Sequence, residues 1–213
     1  FSATLSGDIK KIANAYQHDA ERIHIKQDTQ TVERVEQYYC RLRCGAKTPA
    51  LLGLLKEKQF ALSLVFVATK AMADNLAKEL NQNGFAADAL HGDLRKRQRD
   101  IVMKRYRTGK VKILVATDVA ARGIDVNDID AVVNYDIPQE AESYVHRIGR
   151  TGRAGQGGIA YTFMYPQDGG QLHAIMKATG ASVMPLDLGG GQFAPAIQAA
   201  TGGRQKAPYH SAG

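Results

Sequence analysis

The chain has no tryptophan, only two cysteines and six prolines in 213 residues, and 7% of it is aromatic. Two cysteines, Cys40 and Cys44, cannot make the disulfide framework of a small secreted domain, and no second cysteine pair or nearby histidine completes a zinc site. They are expected to be reduced residues of a cytosolic protein. The scarcity of aromatics argues against a surface that holds bases by stacking. No apolar run approaches the ~20 residues of a membrane span, and no leader-peptide pattern is visible. A Gly-x-x-x-x-Gly-Lys-Ser/Thr string is also absent, so the loop that wraps nucleotide phosphates is not in this sequence. Acidic residues are outnumbered, 21 against 28 lysines and arginines, and the formal charge of +7 favours an anionic partner. The sequence opens at Phe1 and is expected to be a piece of a longer protein.

What is present is an alternation of strand and helix signals. Strands are predicted at 35–43, 62–67, 85–89, 112–117, 129–135 and 158–164, and helices at 48–58, 70–82, 95–107, 140–149 and 168–178. Leu62-Ser63-Leu64-Val65-Phe66-Val67 and Ala131-Val132-Val133 are almost wholly apolar, as strands are when both faces of a parallel sheet are covered. The fold class is therefore an open, mostly parallel α/β sheet with helices on both faces. Such sheets bind ligands beyond the carboxyl ends of their strands, and Thr69, Thr117, Asp118 and Asp136 each lie just past a predicted strand. Before the alternation begins, 5–16 reads as a helix and 21–26 as a strand, followed by a polar stretch at 27–34 that fits a linker. After Leu188 large aliphatic residues nearly vanish among glycines and prolines, so 187–213 is expected to be a flexible tail or a shortened extension.

Cations concentrate in two places. Between Asp93 and Lys112 stand Arg95, Lys96, Arg97, Arg99, Lys104, Arg105, Arg107 and Lys110, a helical stretch able to neutralise phosphates on its outer face while Ile101, Val102 and Tyr106 occupy the buried side. The second is Tyr144-Val145-His146-Arg147-Ile148-Gly149-Arg150-Thr151-Gly152-Arg153. Here apolar residues at helical spacing leave His146, Arg147 and Arg150 on other faces, and Gly149 and Gly152 break the helix so that guanidinium forks suited to phosphate oxygens sit on a tight corner. In Ala116-Thr117-Asp118-Val119-Ala120-Ala121-Arg122-Gly123-Ile124-Asp125, a strand runs into a polar turn where Asp118 is placed to cap a short helix at 119–122.

The His146-Arg147-Ile148-Gly149-Arg150-x-x-Arg153 string resembles the last signature motif of DEAD-box RNA helicases. Three further stretches resemble that family's motifs in the same order: Ser2-Ala3-Thr4, Leu64-Val65-Phe66-Val67 with Thr69-Lys70, and Thr117-Asp118 through Arg122-Gly123-x-Asp125. The resemblance runs from residue 1 to about Pro166 and implies a RecA-like fold. By resemblance, 1–26 is a remnant of a first RecA-like domain, 27–34 the linker and 35–186 the second domain of an ATP-dependent RNA helicase. Arg150 and Arg153 are then arginine fingers for the γ-phosphate, and Asp125 receives the ribose hydroxyls. Thr69, Arg99, Thr117 and Gly123 hold the RNA backbone, with Lys96, where the family has Gln, as a plain phosphate contact. Ser2, Thr4, His146 and Arg147 couple the domains. ATP and Mg2+ would be held mainly by the first domain, since Asp-Glu-Ala-Asp is also missing here, and the implied partners are single-stranded or duplex RNA, that first domain, and unspecified ribosomal or RNA-decay proteins. A stand-alone RNA-binding or protein-docking module is the competing reading. A DNA translocase of the same superfamily would more often have Gln at the place of His146.

Overall fold

A computed structural model of the chain describes residues 7–17, 35–122, 124, 126, 129–152 and 157–188. Within them, seven parallel strands form one sheet: β1 (Val35–Arg41), β2 (Ser63–Phe66), β3 (Ala87–Leu90), β4 (Ile113–Ala116), β5 (Ala131–Asn134), β6 (Gly158–Met164) and β7 (Met184–Pro185), in the order β3-β4-β2-β5-β6-β1-β7. The helices are α1 (Gly7–Tyr16), α2 (Lys47–Lys58), α3 (Lys70–Gln82), α4 (Lys96–Arg107), α5 (Asp118–Ala121), α6 (Ala141–Ile148) and α7 (Gly169–Thr179). The expected open parallel α/β sheet is observed.

Every residue of β2, β4 and β5 is buried, because each of these strands feeds two cores at once. On one face Val65, Val67, Val115 and Val133 pack with Leu51 and Leu54 of α2 and Leu76 and Leu80 of α3. On the other, Leu64, Phe66 and Leu114 meet Met103 and Tyr106 of α4 and the alanines of α5, while Ala160 meets Tyr144 and Ile148 of α6 and Ile175 of α7. The alternation along each strand follows from the period of two. Two buried tyrosines add direction: Tyr106 donates to the carbonyl of Ser63 at 3.0 Å, and Tyr144 to Oε1 of Gln37 at 2.8 Å. Burial pushes the Tyr144 hydroxyl up to about 12, so it stays a donor that pins α6 to β1.

Register places the strand ends together. Phe66 is level with Ala116 and Asn134, Leu90 with Ala116, and Asn134 with Thr162. The segments that follow, Ala68-Thr69, His91-Gly92, Thr117-Asp118 and Tyr135-Asp136, therefore share one rim. Cys40 is buried, with its thiol pushed up to about 12 by desolvation, and Cys44 is exposed. The stretch 18–34 lies outside the described residues, as do Ser2, Thr4 and 189–213, so the expected strand at 21–26, the linker and all but the start of the expected tail fall there.

Candidate functional site

The centre of the site is Arg147, which is 3% exposed. Its Nε and Nη2 donate to the two carboxylate oxygens of Asp118 at 2.6 and 2.7 Å, and its Nη1 donates to Oδ1 of Asn134 at 3.2 Å and to the carbonyl of Asp136 at 2.7 Å. The guanidinium plane lies 4.9 Å from the Phe66 ring centroid. A planar fork with no acceptor of its own is suited to this arrangement of a carboxylate, an amide oxygen and a carbonyl. Arg147 is thus enclosed within this sheet. Asp118, expected to cap the short helix, is instead its first residue: Thr117 occupies the N-cap position of α5, and the Asp118 carboxylate faces Arg147.

This pairing fixes α6 against α5 and leaves between them a small open cleft, lined by Asp118, Ala121, Arg122, Ser143, His146 and Arg150 and backed by Phe66 and Arg147. Arg150 is partly exposed and is held by its own turn, with Nε donating to the carbonyl of His146 at 3.2 Å and Nη1 to that of Ile124 at 3.3 Å. The corner after α6 is set by its glycines unequally. Gly149 has an ordinary φ of −66°, whereas Gly152 takes the left-handed value of 67°. Thr151 beside it is buried, its hydroxyl donating to the carbonyls of Ile129 and Asp130. Gly158, at the start of β6, lies so close to Thr151 and Gly152 that a Cβ there would overlap both. Arg153, Gly123 and Asp125 lie outside the described residues.

The remaining sequence-predicted residues sit along the rim and on α4. Thr69 is exposed and caps α3, its Oγ1 accepting from the amide of Met72 at 3.1 Å. Its neighbour Lys70 donates to Asp93 across the β3 end. Thr117 is partly exposed, with its amide donating to the carbonyl of Leu90 at 3.2 Å. Arg99 is half-buried and reaches from α4 to the carbonyl of Ala120 in α5 at 2.7 Å, so it ties the basic helix to the turn that follows Thr117. Lys96 is exposed in the first turn of α4, where Gln98 folds back to accept from the amide of Arg95 at 3.0 Å.

Two further pairs occupy the rim. Lys47, 6% exposed, donates to Oδ1 of Asp136 at 2.9 Å and stands 4.6 and 5.4 Å from the ring centroids of Tyr165 and Tyr135. His91 is buried with Nε2 2.9 Å from a carboxylate oxygen of Asp74. Lys47 was not singled out from sequence; its one legible trace is a helix whose first residue is a lysine next to an otherwise apolar face. Among the described residues, no group of three His, Cys, Asp or Glu side chains could hold a metal ion.

Residues 46–155 match the family of the helicase conserved C-terminal domain. The chain is 45% identical over 179 residues to the DEAD-box ATP-dependent RNA helicase CshA of Geobacillus kaustophilus, an alignment covering 84% of this chain and 38% of that protein. It thus spans about two fifths of the length of the curated relatives it matches. Among solved structures, S. cerevisiae Dbp5 bound to RNA and ADP BeF3 matches with a TM-score of 0.76 at 33% identity, covering 88% of this chain and 50% of that one. The E. coli DEAD-box protein SrmB, bound to regulator of ribonuclease activity A, matches at 0.70 with 35% identity over 76% of this chain and 98% of its own. With half of its length inside the helicase C-terminal family and a SrmB chain covered almost end to end, this chain belongs to the DEAD-box family.

Proposed function

We propose that the chain supplies the second RecA-like domain, residues 35–186, of an ATP-dependent RNA helicase, preceded by a remnant of the first domain at 1–26 and a linker at 27–34. The observation that carries this reading is the buried Arg147–Asp118 pair, because it sets α6 against α5 and brings Arg150 and His146 to one cleft. A cleft walled by Arg122, His146 and Arg150, whose carboxylate Asp118 is already matched by Arg147, suits an anionic group. Arg150, and with it Arg153, donates to the γ-phosphate oxygens of ATP presented by the first domain, and Asp125 accepts from the ribose. Mg2+ belongs with that first domain, since the described residues bring no cluster of ligating side chains together.

RNA lies along the rim, where Thr69 and Thr117 are accessible, and continues to Arg99 and Lys96, with Gly123 as a further backbone contact. The contacts are to phosphate and sugar, so recognition is independent of base sequence. Closure over ATP and RNA together favours a state that holds a single strand, and hydrolysis releases it; Ser2, Thr4 and His146 communicate between the domains. A cytoplasmic location goes with this reading.

The test is ATP hydrolysis by the full-length protein with and without single-stranded RNA. Arg150→Ala should lower the RNA-stimulated rate by about a thousandfold or more, the scale of an arginine finger, with the folded state intact. Unchanged turnover would remove the finger assignment, and stimulation by DNA equal to that by RNA would remove the RNA assignment.

A further inference from the structure

Asp136 touches both halves of the rim at once. Its Oδ1 accepts from Lys47 Nζ and its Oδ2 from the amide of Ala68, each at 2.9 Å, and its backbone carbonyl accepts from Arg147 at 2.7 Å. Ala68 immediately precedes Thr69, whose own hydroxyl and carbonyl start α3 by accepting from Met72 and Ala73. Arg147 in turn grips Asp118, next to Thr117. The Lys47 cation faces Asp136 from α2 and is flanked by the rings of Tyr135 and Tyr165, so it is fixed in place and keeps one of the two carboxylate oxygens occupied. A single residue therefore braces the β2–α3 turn with its side chain and receives the α6–α5 lock with its main chain.

We propose that Asp136 is the positioning residue that holds the turn carrying Thr69 in fixed relation to the Arg147–Asp118 pair, so that the RNA contacts at Thr69 and Thr117 form as one unit. The inference rests on the RNA-binding role proposed above for those two threonines. It assigns Asp136 no contact with RNA or nucleotide. The carboxylate is needed for its two oxygens: an ammonium group has three donors and no acceptor, and a backbone amide has one donor, so both neighbours require an oxygen.

This stereochemistry gives the test a rescue arm. In Asp136→Asn a single oxygen remains; Lys47, being buried, takes it and turns the amide NH2 toward the Ala68 N–H, donor against donor. In the double variant Lys47→Met with Asp136→Asn the oxygen is free to face Ala68 again, and Met fills the volume of the lysine stem. Two quantities are to be measured in the full-length protein, namely hydrogen exchange at the Ala68 amide and the RNA concentration that half-saturates ATPase stimulation. For Asp136→Asn both should rise about tenfold, the worth of one hydrogen bond to a charged acceptor. The double variant and Lys47→Met alone should both return values within about twofold of wild type at these two readouts, because each keeps an oxygen on the Ala68 amide. Unchanged exchange in Asp136→Asn would overturn the positioning role, as would a double variant no better than the single. Faster exchange with an unmoved RNA half-saturation would overturn the link to RNA, and it would locate the failure in the role given to Thr69, because the brace itself would have been seen to act.

Discussion

On α4, Arg97, Lys104 and Arg107 lie exposed along the outer face, whereas on α6 Arg147 is 3% exposed and bonded through all three nitrogens of its guanidinium. Both helices carry arginine, yet they treat the same chemistry in opposite ways, and the difference lies in what each faces. The inner face of α4 meets the sheet through Met103 and Tyr106, so Arg97 and Lys104 on its outer face are turned to solvent. Between α6 and the sheet, the carboxylate of Asp118 and the carbonyl of Asp136 converge over Phe66, and a guanidinium is what satisfies them. In the His146 to Arg153 string, Arg147 builds the frame that Arg150 uses.

The strongest way to break this contrast is Arg147→Ala. Removing one member of a buried pair leaves the other uncompensated and costs about 3–5 kcal/mol; with the Asp118 side chain 40% exposed, the lower end, about 3 kcal/mol, is expected. For a domain of this size that is roughly 6–12 °C in melting temperature. The control on α4, Lys104→Gln, should stay within about 0.5 kcal/mol, as substitutions on a solvated face do. Chemical and thermal unfolding of the two variants decides the matter, and equal losses would mean that Arg147 is no more structural than a surface cation.

Arg99 stands between the two cases and sharpens the contrast. It projects from the exposed helix, but its Nη2 reaches the carbonyl of Ala120 in α5. Arg99→Ala should therefore show two effects together, a stability loss of about 1–2 kcal/mol from a half-buried charged hydrogen bond and weaker RNA binding with a shallower salt dependence. A loss of stability with an unchanged salt slope would make Arg99 a tether alone, like Arg147. The reverse result would place it with the solvated cations.

How much of this was legible in the sequence depended on the range of the interaction. Nearly all-apolar runs such as Leu62 to Val67 announced doubly covered strands because burial on both faces writes itself into consecutive residues. β7 was missed because Met184–Pro185 is two residues long, and a proline at a sheet edge carries neither alternation nor a ladder donor. The strand expected at 85–89 begins at Ala87, where the side chain of Asn81 takes the backbone bonds at the edge. Among site residues, Thr69 and Thr117 were found through their place after strands. The enclosure of Arg147 could not be read, because its carboxylate is 29 positions away and only the folded sheet, with β2 between β4 and β5, brings the two together. The pairing of Lys47 with Asp136, 89 positions apart, was hidden for the same reason. Local chemistry is written locally, and pairing across the sheet is not.

The smallest predicted effect bears on the outermost cation of the proposed RNA surface. Lys96 is exposed at the first turn of α4, on the solvated side of the helix, so Lys96→Gln should leave unfolding unchanged within about 0.5 kcal/mol. If Lys96 neutralises one phosphate of a single strand, its loss removes about 0.7 from the slope of log affinity against log salt. Affinity at low salt then falls by severalfold, while at high salt, where released counterions contribute little, the variant and wild type converge. Gln can still donate to a phosphate oxygen without charge, so a weaker but salt-independent contact would survive. An RNA titration at several salt concentrations separates the two components. A parallel displacement of the two lines would show that Lys96 acts through geometry rather than charge, and superimposed lines would return it to the solvated face of α4 with Lys104.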